Sequence, residues 1–302
     1  MTIEKISGIL PALITPFDLS GNVLDSSAEK LLQKYVDERA DGLYMLGYTG
    51  EGSVMSISQR KHWTEQVLRV NGGRIPIIVH VGYGTPEEAI DLAAHAARHG
   101  AHSVSSVPLP GSATLQDNAR YFKQVAETTE LPFYIYWNQE IIDSDTGRRA
   151  TASRLVETMS AFRNFAGIKY TDSNFYYLER IRHYKPELNL LTGVDTMVNA
   201  AAMLGADGAI GALQSVTCGH MKKMRAAYLA GNVQQAHELQ IRANELYELL
   251  DRPDIGVIPG IKAIMTYEGI PGVPGGSTPA LTDPVLLRLL LTTYQKHIDN
   301  SL

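Results

Sequence analysis

The sequence predicts a (β/α)8 barrel with extra helices at its C-terminus, and three observations support this fold class. The chain has 302 residues, 44% of them hydrophobic, which is enough to fill one large barrel. Apolar runs typical of buried strands begin near residues 9, 42, 76, 102, 133, 165, 188 and 207. One helical pattern lies in each interval of roughly 20–35 residues, as parallel strands joined by crossover helices require. An open doubly wound sheet is the alternative, but no Gly-x-Gly-x-x-Gly follows the first strand.

The first four strands are nearly continuous apolar runs, as expected for strands buried on both faces. They lie at residues 8–17, 41–46, 75–81 and, more weakly, 101–107. Ser26 and Ser58 are the expected caps of the first two helices. Thr85 and Glu88 form a capping box for the third helix, with Pro86 at its first position.

The second half of the chain repeats the same unit. Strands are expected at residues 131–137, 165–171, 188–192 and 208–211, and helices near 115–128, 152–160, 196–204 and 219–230, with a further helix starting after Asn174 or Ser173. Helical patterns at 233–250, 261–268 and 284–297 then follow the barrel. We therefore assign residues 1–230 to the barrel and residues 231–302 to a helical extension packed on it.

Composition excludes several classes of function. The net charge is −5 and no basic run of five residues occurs, which argues against a nucleic-acid partner. No apolar stretch reaches the roughly 18 residues of a membrane span, and the N-terminus lacks the features of a signal peptide. The single cysteine, Cys218, excludes an intrachain disulfide and is expected to be buried in the core. A cytoplasmic protein is the expectation.

Lys169 stands at the end of the sixth strand candidate, and no other lysine ends such a strand. Barrel enzymes keep their chemistry at the carboxyl ends of the strands. A buried amine at that place can lose its proton near neutral pH and attack a carbonyl carbon. The alternative is an ordinary strand-end lysine whose amine reaches solvent.

The barrel also brings other polar positions to this face. They are Thr15, the turn 47–52, Tyr83, Tyr136, Thr171, Gly193, Asp195 and Gly211. Structural roles remain open for three of the candidates: Tyr136 as a buried strand aromatic, Thr49 as a turn cap, and Asp195 as the N-cap of the next helix.

Histidine spacing gives no sign of a metal centre. His80, His95, His99 and His102 show no joint spacing with carboxylates that indicates a ligand set. We therefore expect no metal.

Several short motifs occur in a characteristic order and spacing: Pro11-Ala-Leu-Ile-Thr-Pro-Phe17, Gly47-Tyr-Thr-Gly-Glu51, Tyr136, Gly167-Ile-Lys169 and Gly205-Ala-Asp-Gly-Ala-Ile-Gly211. Together they resemble the N-acetylneuraminate lyase and dihydrodipicolinate synthase superfamily of class I (Schiff-base) aldolases. The likeness covers residues 7–225 and continues more weakly to 300. The run 167–175 is more similar to the lyase branch than to the synthase branch.

The resemblance implies a role for each matching residue. Lys169 would form an imine with a 2-oxo acid such as pyruvate, and Tyr136 would shuttle the proton. The turn containing Tyr48 and Thr49 would bind the substrate carboxylate, and Glu51 would have a structural hydrogen-bonding role. The remaining substrate-binding positions would be Thr171, Gly193, Asp195 and Gly211. The family needs no cofactor beyond the covalent imine, and its members form dimers and tetramers.

The sequence departs from the family at the proton relay. Tyr48 stands where the family has serine or threonine, and Pro108-Leu-Pro110 replaces the segment that carries a relay tyrosine to a neighbouring subunit. Tyr48 or Tyr83 is a candidate replacement. No arginine follows Tyr136 at the synthase position, which disfavours dihydrodipicolinate synthesis.

Two departures concern the polar chain of a sugar substrate. Thr196 replaces a glutamate and Ala212 replaces a serine of the lyase branch, whereas Thr171 and Asp195 match.

The leading hypothesis is a lyase that cleaves or forms a C–C bond, acting on a 2-oxo acid such as N-acetylneuraminate. A dehydratase of a 2-keto-3-deoxy sugar acid and a non-catalytic barrel that binds a keto acid are the alternatives.

Overall fold

A computed structural model describes residues 4–111, 114–138, 142–159, 162–276 and 278–298. The barrel strands are β1 Gly8–Leu13, β2 Leu43–Met45, β3 Ile77–His80, β4 Ser103–Ser106, β5 Phe133–Trp137, β8 Phe165–Tyr170, β9 Asn189–Thr192 and β10 Gly208–Gly211. These eight parallel strands close into a barrel in the order β1-β10-β9-β8-β5-β4-β3-β2. This topology confirms the predicted fold class.

Each barrel strand begins within two residues of its predicted start, because strands buried on both faces leave long apolar runs in the sequence. Two short strands were not predicted. Ile142–Asp143 (β6) and Arg148–Arg149 (β7) form an antiparallel hairpin within the polar loop that follows β5.

Helices surround the barrel and continue beyond it. They are α1 Ala28–Asp37, α2 Ile57–Asn71, α3 Pro86–Arg98, α4 Leu115–Ala126, α5 Ala152–Met159, α6 Phe175–Tyr184, α7 Val198–Met203, α8 Gln214–Leu229, α9 Val233–Leu250, α10 Val257–Tyr267 and α11 Pro284–His297. The predicted end of α5 at Ser160 lies outside the described residues.

The capping predictions were right in two places and wrong in two. Thr85 and Glu88 form the expected capping box of α3, and Asn174 caps α6. The α2 cap is Ser56 rather than Ser58, because Ser56 pairs with Gln59 in a capping box of its own. Ser26 caps nothing and lies inside a short 3-10 turn, Asp25–Ser27.

Apolar side chains fill two separate regions, one between the strands and the helices and one inside the barrel. The interior set is Ile6, Leu10, Ala12, Tyr44, Ile78, Val107, Tyr134, Tyr136, Ala166, Leu191 and Ile210. Alternate residues of a strand point to opposite faces, so the interior positions are fixed by register. In the C-terminal segment, α9 packs against α8 and α11, and α10 packs against α8, α9 and α11. Within the described part of the chain, every helix is too short or too polar to span a bilayer.

Candidate active site

Lys169 lies inside the barrel, near the carboxyl end of β8. Its register partners are Tyr136 on β5 and Leu191 on β9, both of which belong to the interior set. The residue is only 5% exposed, so the alternative of an amine that reaches solvent is wrong. Two aromatic rings contact the amine: Nζ lies 3.8 Å from the ring centroid of Tyr136 and 4.1 Å from that of Tyr44.

This apolar setting changes the basicity of the amine. Burial lowers the pKa of Lys169 to about 7, because the charged form loses its hydration, and Asp195 only partly opposes the shift. An ordinary lysine has a pKa of about 10.4, so its amine is almost wholly protonated at neutral pH. A substantial fraction of the Lys169 amine is therefore neutral near pH 7, and a neutral amine is the nucleophilic form.

The Tyr136 phenol lies beside this amine and is also buried. Burial raises the pKa of Tyr136 to about 12, while the Thr171 hydroxyl lowers it somewhat. The phenol is therefore protonated at neutral pH and can donate a proton. The alternative of a structural strand aromatic also fits its burial, but its position beside an unprotonated amine gives it access to the same chemistry.

Two glycines let polar side chains approach this region closely. A Cβ at Gly193 would lie 1.7 Å from the Thr171 hydroxyl oxygen, and a Cβ at Gly211 would lie 1.7 Å from Oδ1 of Asp195. Any larger residue would displace these groups. Thr171 therefore contacts Gly193, and Asp195 contacts Gly211, at the ends of adjacent strands; the sequence had placed these residues on one face without pairing them.

Asp195 does not cap the next helix, which was the structural role that the sequence left open for it. It begins a 3-10 turn, Asp195–Met197, and its carboxylate accepts a hydrogen bond from the backbone N–H of Leu213 at 3.1 Å. Burial raises the pKa of Asp195 to about 6, and the Leu213 bond and Lys169 oppose that rise. Gln240 of α9 donates to the Asp195 carbonyl at 3.0 Å and so fixes the turn from outside the barrel.

The turn 47–52 follows β2 and has the tight geometry that its glycines predict. A Cβ at Gly50 would lie 2.7 Å from the Leu46 nitrogen and 2.9 Å from the Leu13 carbonyl oxygen. Thr15 donates to the Gly50 carbonyl at 2.7 Å. Thr49 is buried, whereas Tyr48 is 63% exposed and borders a cleft of about 430 Å³ that residues 253–259 and 278–283 also line.

Glu51 has the structural role that the resemblance implied. Its carboxylate forms a buried ion pair with Lys262 of α10 and accepts a hydrogen bond from Gly275 N–H at 2.5 Å. Lys262 also donates to the carbonyl oxygens of Thr15 at 2.6 Å and Val273 at 2.8 Å. The C-terminal segment is thereby fastened to the turn that follows β2.

Tyr83 and His80 extend the aromatic lining of the site. Tyr83 has a φ of 77°, a left-handed conformation that aromatic residues rarely adopt, and its ring centroid lies 4.4 Å from that of His80. Val107 N–H donates to Nε2 of His80 at 3.2 Å, which requires the unprotonated form of that nitrogen. Burial lowers the pKa of His80 well below its usual value, so the ring is neutral.

Several of these residues had not been singled out from the sequence. Tyr44 and Lys262 were missed because nothing in an apolar run shows which side chain turns toward a buried amine or carboxylate. Lys262 does interrupt a hydrophobic stretch, which is the one signal that could have indicated a buried partner. Cys218 is buried as expected, and that burial raises the pKa of its thiol.

Comparison with known proteins gives a family and a set of relatives. The model of the dihydrodipicolinate synthetase family matches residues 5–282. The N-acetylneuraminate lyase of Rhizobium meliloti (strain 1021) is 32% identical over 271 residues, which cover 89% of this chain and 88% of the relative. The N-acetylneuraminate lyase of Escherichia coli (strain K12 / DH10B) is 30% identical over 272 residues, 89% of each chain.

Solved structures show the same fold over nearly the whole chain. An N-acetylneuraminate lyase from Mycoplasma synoviae superposes with a TM-score of 0.89 at 21% identity, covering 97% of this chain and 98% of that one. A prophage protein of the dihydrodipicolinic acid synthase family from E. coli K12, in complex with pyruvate, superposes with a TM-score of 0.85 at 25% identity, covering 96% and 98%.

Proposed function

The chain belongs to the dihydrodipicolinate synthetase family of class I aldolases, and from this premise we propose that it is a lyase that cleaves sialic-acid-type 2-oxo acids to pyruvate and an aldehyde. The observation that carries the proposal is the amine of Lys169, buried between two aromatic rings with its pKa lowered to about 7. No cofactor is needed, because the imine itself supplies the electron sink.

In the first step, the neutral Lys169 amine attacks the keto carbon of the substrate. The resulting carbinolamine loses water and becomes a protonated imine. An apolar pocket favours attack, because it holds much of the amine in its unprotonated form at neutral pH. The rings of Tyr44 and Tyr136 can then stabilise the cationic imine by contact with their faces.

In the second step, the C–C bond breaks. Its electron pair moves toward the imine nitrogen to give an enamine, and the hydroxyl on the departing carbon loses its proton as the aldehyde forms. Tyr136 is the proposed carrier of that proton: its phenol, which lies beside Lys169, gives its own proton to the carbinolamine hydroxyl as water leaves, and the resulting phenolate then accepts the proton of the substrate hydroxyl. Protonation of the enamine and addition of water then release pyruvate and restore the amine.

Substrate recognition is proposed for the polar groups around the amine. The turn containing Tyr48 and Thr49 would bind the carboxylate of the 2-oxo acid through backbone N–H groups. Thr171 and Asp195 would contact the hydroxyls of the sugar chain. Support comes from position: the Thr171 hydroxyl oxygen and Oδ1 of Asp195 are buried at the ends of adjacent strands, and the Thr171 hydroxyl lies beside the Tyr136 phenol.

Tyr83 is the proposed replacement for the missing relay tyrosine. It borders a cavity of about 270 Å³ together with Pro108 and Pro110, the segment in which the family tyrosine would be expected. The neighbouring phenol of Tyr136 adds to the rise in the pKa of Tyr83, so the two phenols are within electrostatic reach of each other. Tyr48 is the alternative, because its phenol raises the pKa of Tyr136.

The proposal extends to the assembly and location of the enzyme. A homo-oligomer, either a dimer or a tetramer, is proposed by analogy with the family, together with a cytoplasmic location that the single cysteine supports. A dehydratase of a 2-keto-3-deoxy sugar acid would use the same imine but would expel water rather than an aldehyde.

Borohydride trapping tests the proposed imine. Incubation with pyruvate and borohydride should give a reduced adduct that peptide mass spectrometry locates on Lys169. Lys169→Ala should give no adduct, whereas Lys123→Ala, which removes an exposed lysine of α4, should react like the wild type. An adduct that persists in Lys169→Ala would overturn the proposal. Incubation with N-acetylneuraminate then separates the activities, since pyruvate release supports the lyase.

A further inference from the structure

Two histidines and a glutamate meet outside the barrel, on a pair of neighbouring helices. His95 lies near the end of α3, His99 directly follows that helix, and Glu65 lies on α2. One ligand atom from each residue falls within 4.8 Å of the others. From this arrangement we propose a binding site for a divalent transition metal of the zinc type, held by Glu65, His95 and His99.

The distances are close to those of a coordination shell. Nε2 of His95 lies 2.8 Å from Oε1 of Glu65, and Nε2 of His99 lies 3.8 Å from the same oxygen. Ligand atoms about 2.0–2.2 Å from a tetrahedral ion are separated by about 3.4 Å, so small side-chain rotations would bring all three atoms to one ion.

One of the histidines is already oriented for coordination. Nδ1 of His99 lies 2.9 Å from the His95 carbonyl oxygen, which can only accept a hydrogen bond. Nδ1 therefore carries the proton, and Nε2 keeps its lone pair for a metal. A histidine whose other ring nitrogen is bonded to a backbone carbonyl is the usual arrangement at metal sites.

The spacing and chemistry of the ligands favour zinc over magnesium. Residues four apart on a helix lie on one face, and the His95 and His99 rings accordingly have centroids 4.3 Å apart. Imidazole suits zinc, copper, nickel and iron, whereas magnesium prefers oxygen ligands. Three protein ligands leave a fourth position for water. An ion here would join α2 to α3 without touching the interior of the barrel.

The sequence did not reveal this group, because Glu65 is thirty positions before His95 and belongs to another helix. The contact between Glu65 and His95 becomes evident only when α2 and α3 lie side by side in the fold. The histidine spacing alone, without a carboxylate nearby in sequence, had predicted no metal site.

Calorimetric titration of the tag-free protein with zinc chloride tests the proposal. The wild type should bind one equivalent at the site, and its Tm should rise with zinc but not with magnesium, because an ion that binds only the folded state stabilises it. Affinity should fall by at least about tenfold in His99→Ala and in Glu65→Gln, since each loses one ligand. Glu65→Gln keeps an acceptor for His95 and should fold normally.

His237→Ala serves as the matched control, because it removes an exposed helical histidine on α9 that belongs to no such group among the described residues. It should bind zinc like the wild type. A wild type that binds no zinc, or a His99→Ala variant that binds and is stabilised as strongly as the wild type, would overturn the proposal. Because the readout is binding and Tm, the result does not depend on the activity proposed for Lys169.

Discussion

Two lysines are almost completely buried near the carboxyl ends of the barrel strands, and their surroundings are opposite in kind. Lys262 is 2% exposed, and its ammonium forms an ion pair with the Glu51 carboxylate and hydrogen bonds to two backbone carbonyl oxygens. Lys169 is 5% exposed, and its amine has no hydrogen bond or ion pair to any residue that the structure describes. Aromatic rings contact it instead.

The comparison shows how one residue type is used for structure and for chemistry in the same fold. Three acceptors hold the Lys262 ammonium and occupy its protons, so it fastens α10 to the turn after β2. Burial lowers the pKa of Lys262, but the carboxylate opposes that effect. Lys169 has only the more distant Asp195 to oppose its burial, and its pKa falls to about 7. Lack of a close partner is therefore what makes Lys169 a candidate nucleophile.

The largest expected effect comes from replacing the unpaired lysine. Lys169→Met should reduce kcat for pyruvate release by at least about 10⁴-fold, because it removes the amine that forms the imine. The same change should stabilise the fold by about 2–4 kcal/mol at pH 7, since it removes an amine whose charged form is disfavoured by burial. Steady-state kinetics and urea unfolding measure the two effects.

The gain in stability has a defined pH dependence. The folded-state pKa of Lys169, about 7, lies below its usual value, so the unfolded chain binds more protons between pH 7 and about 10.5. The cost of burying the wild-type amine is therefore full below pH 7 and declines as the pH rises through this window. A variant whose advantage grew with pH, or that was less stable than the wild type at pH 7, would contradict this account.

The same substitution at the paired lysine should have the opposite sign. Lys262→Met leaves the buried Glu51 carboxylate without its ion pair, and we expect a loss of about 3–5 kcal/mol in the free energy of unfolding. Urea unfolding gives the value. The double variant Glu51→Gln, Lys262→Met should recover part of the loss, because no uncompensated charge remains. A Lys262→Met variant as stable as the wild type would mean that the pair contributes nothing to the fold.

The sequence predicted the position of Lys169 better than its environment. Its place at a strand end followed from an apolar run that stops at a charged residue, a local signal. Tyr44 and Lys262, in contrast, act through contacts between segments distant in sequence. Register decides which side chains of a parallel strand turn inward, and no periodicity reveals this when both faces are buried.

Helix ends and turns show the same contrast between local signals, which the sequence reveals, and contacts between distant segments, which it does not. The α3 capping box was predicted correctly because its signal lies within four residues. The start of α10 was placed at residue 261 instead of Val257, because Pro259 disguises a first turn in which proline is tolerated. Asp195 has a residue type common at caps, yet its carboxylate bonds to Leu213 of the next unit, which only the closed barrel brings near.

Asp195→Asn tests how far this carboxylate influences the amine. Above its pKa of about 6 Asp195 is charged, and that charge raises the pKa of Lys169. Removal of the charge should therefore lower the midpoint for imine formation from about pH 7 by roughly one unit, or about 1.4 kcal/mol. The pH dependence of the borohydride trapping rate measures the midpoint, since the neutral amine increases as the pH rises. Thr171→Val, which changes no charge, should leave the midpoint in place, and an unchanged or raised midpoint in Asp195→Asn would contradict the expectation.

The smallest expected effect concerns the support that α9 gives to the turn that carries this carboxylate. Gln240→Ala removes the hydrogen bond to the Asp195 carbonyl and should cost about 1 kcal/mol in the free energy of unfolding. KM for the 2-oxo acid should rise several-fold with little change in kcat, because the turn shifts while Lys169 and Tyr136 stay in place. Gln234→Ala, on the exposed side of the same helix, is the matched control and should change neither quantity. If KM stayed constant while stability fell, Gln240 would support only the fold, and the positioning of Asp195 would depend on Leu213 and Gly211 within the barrel.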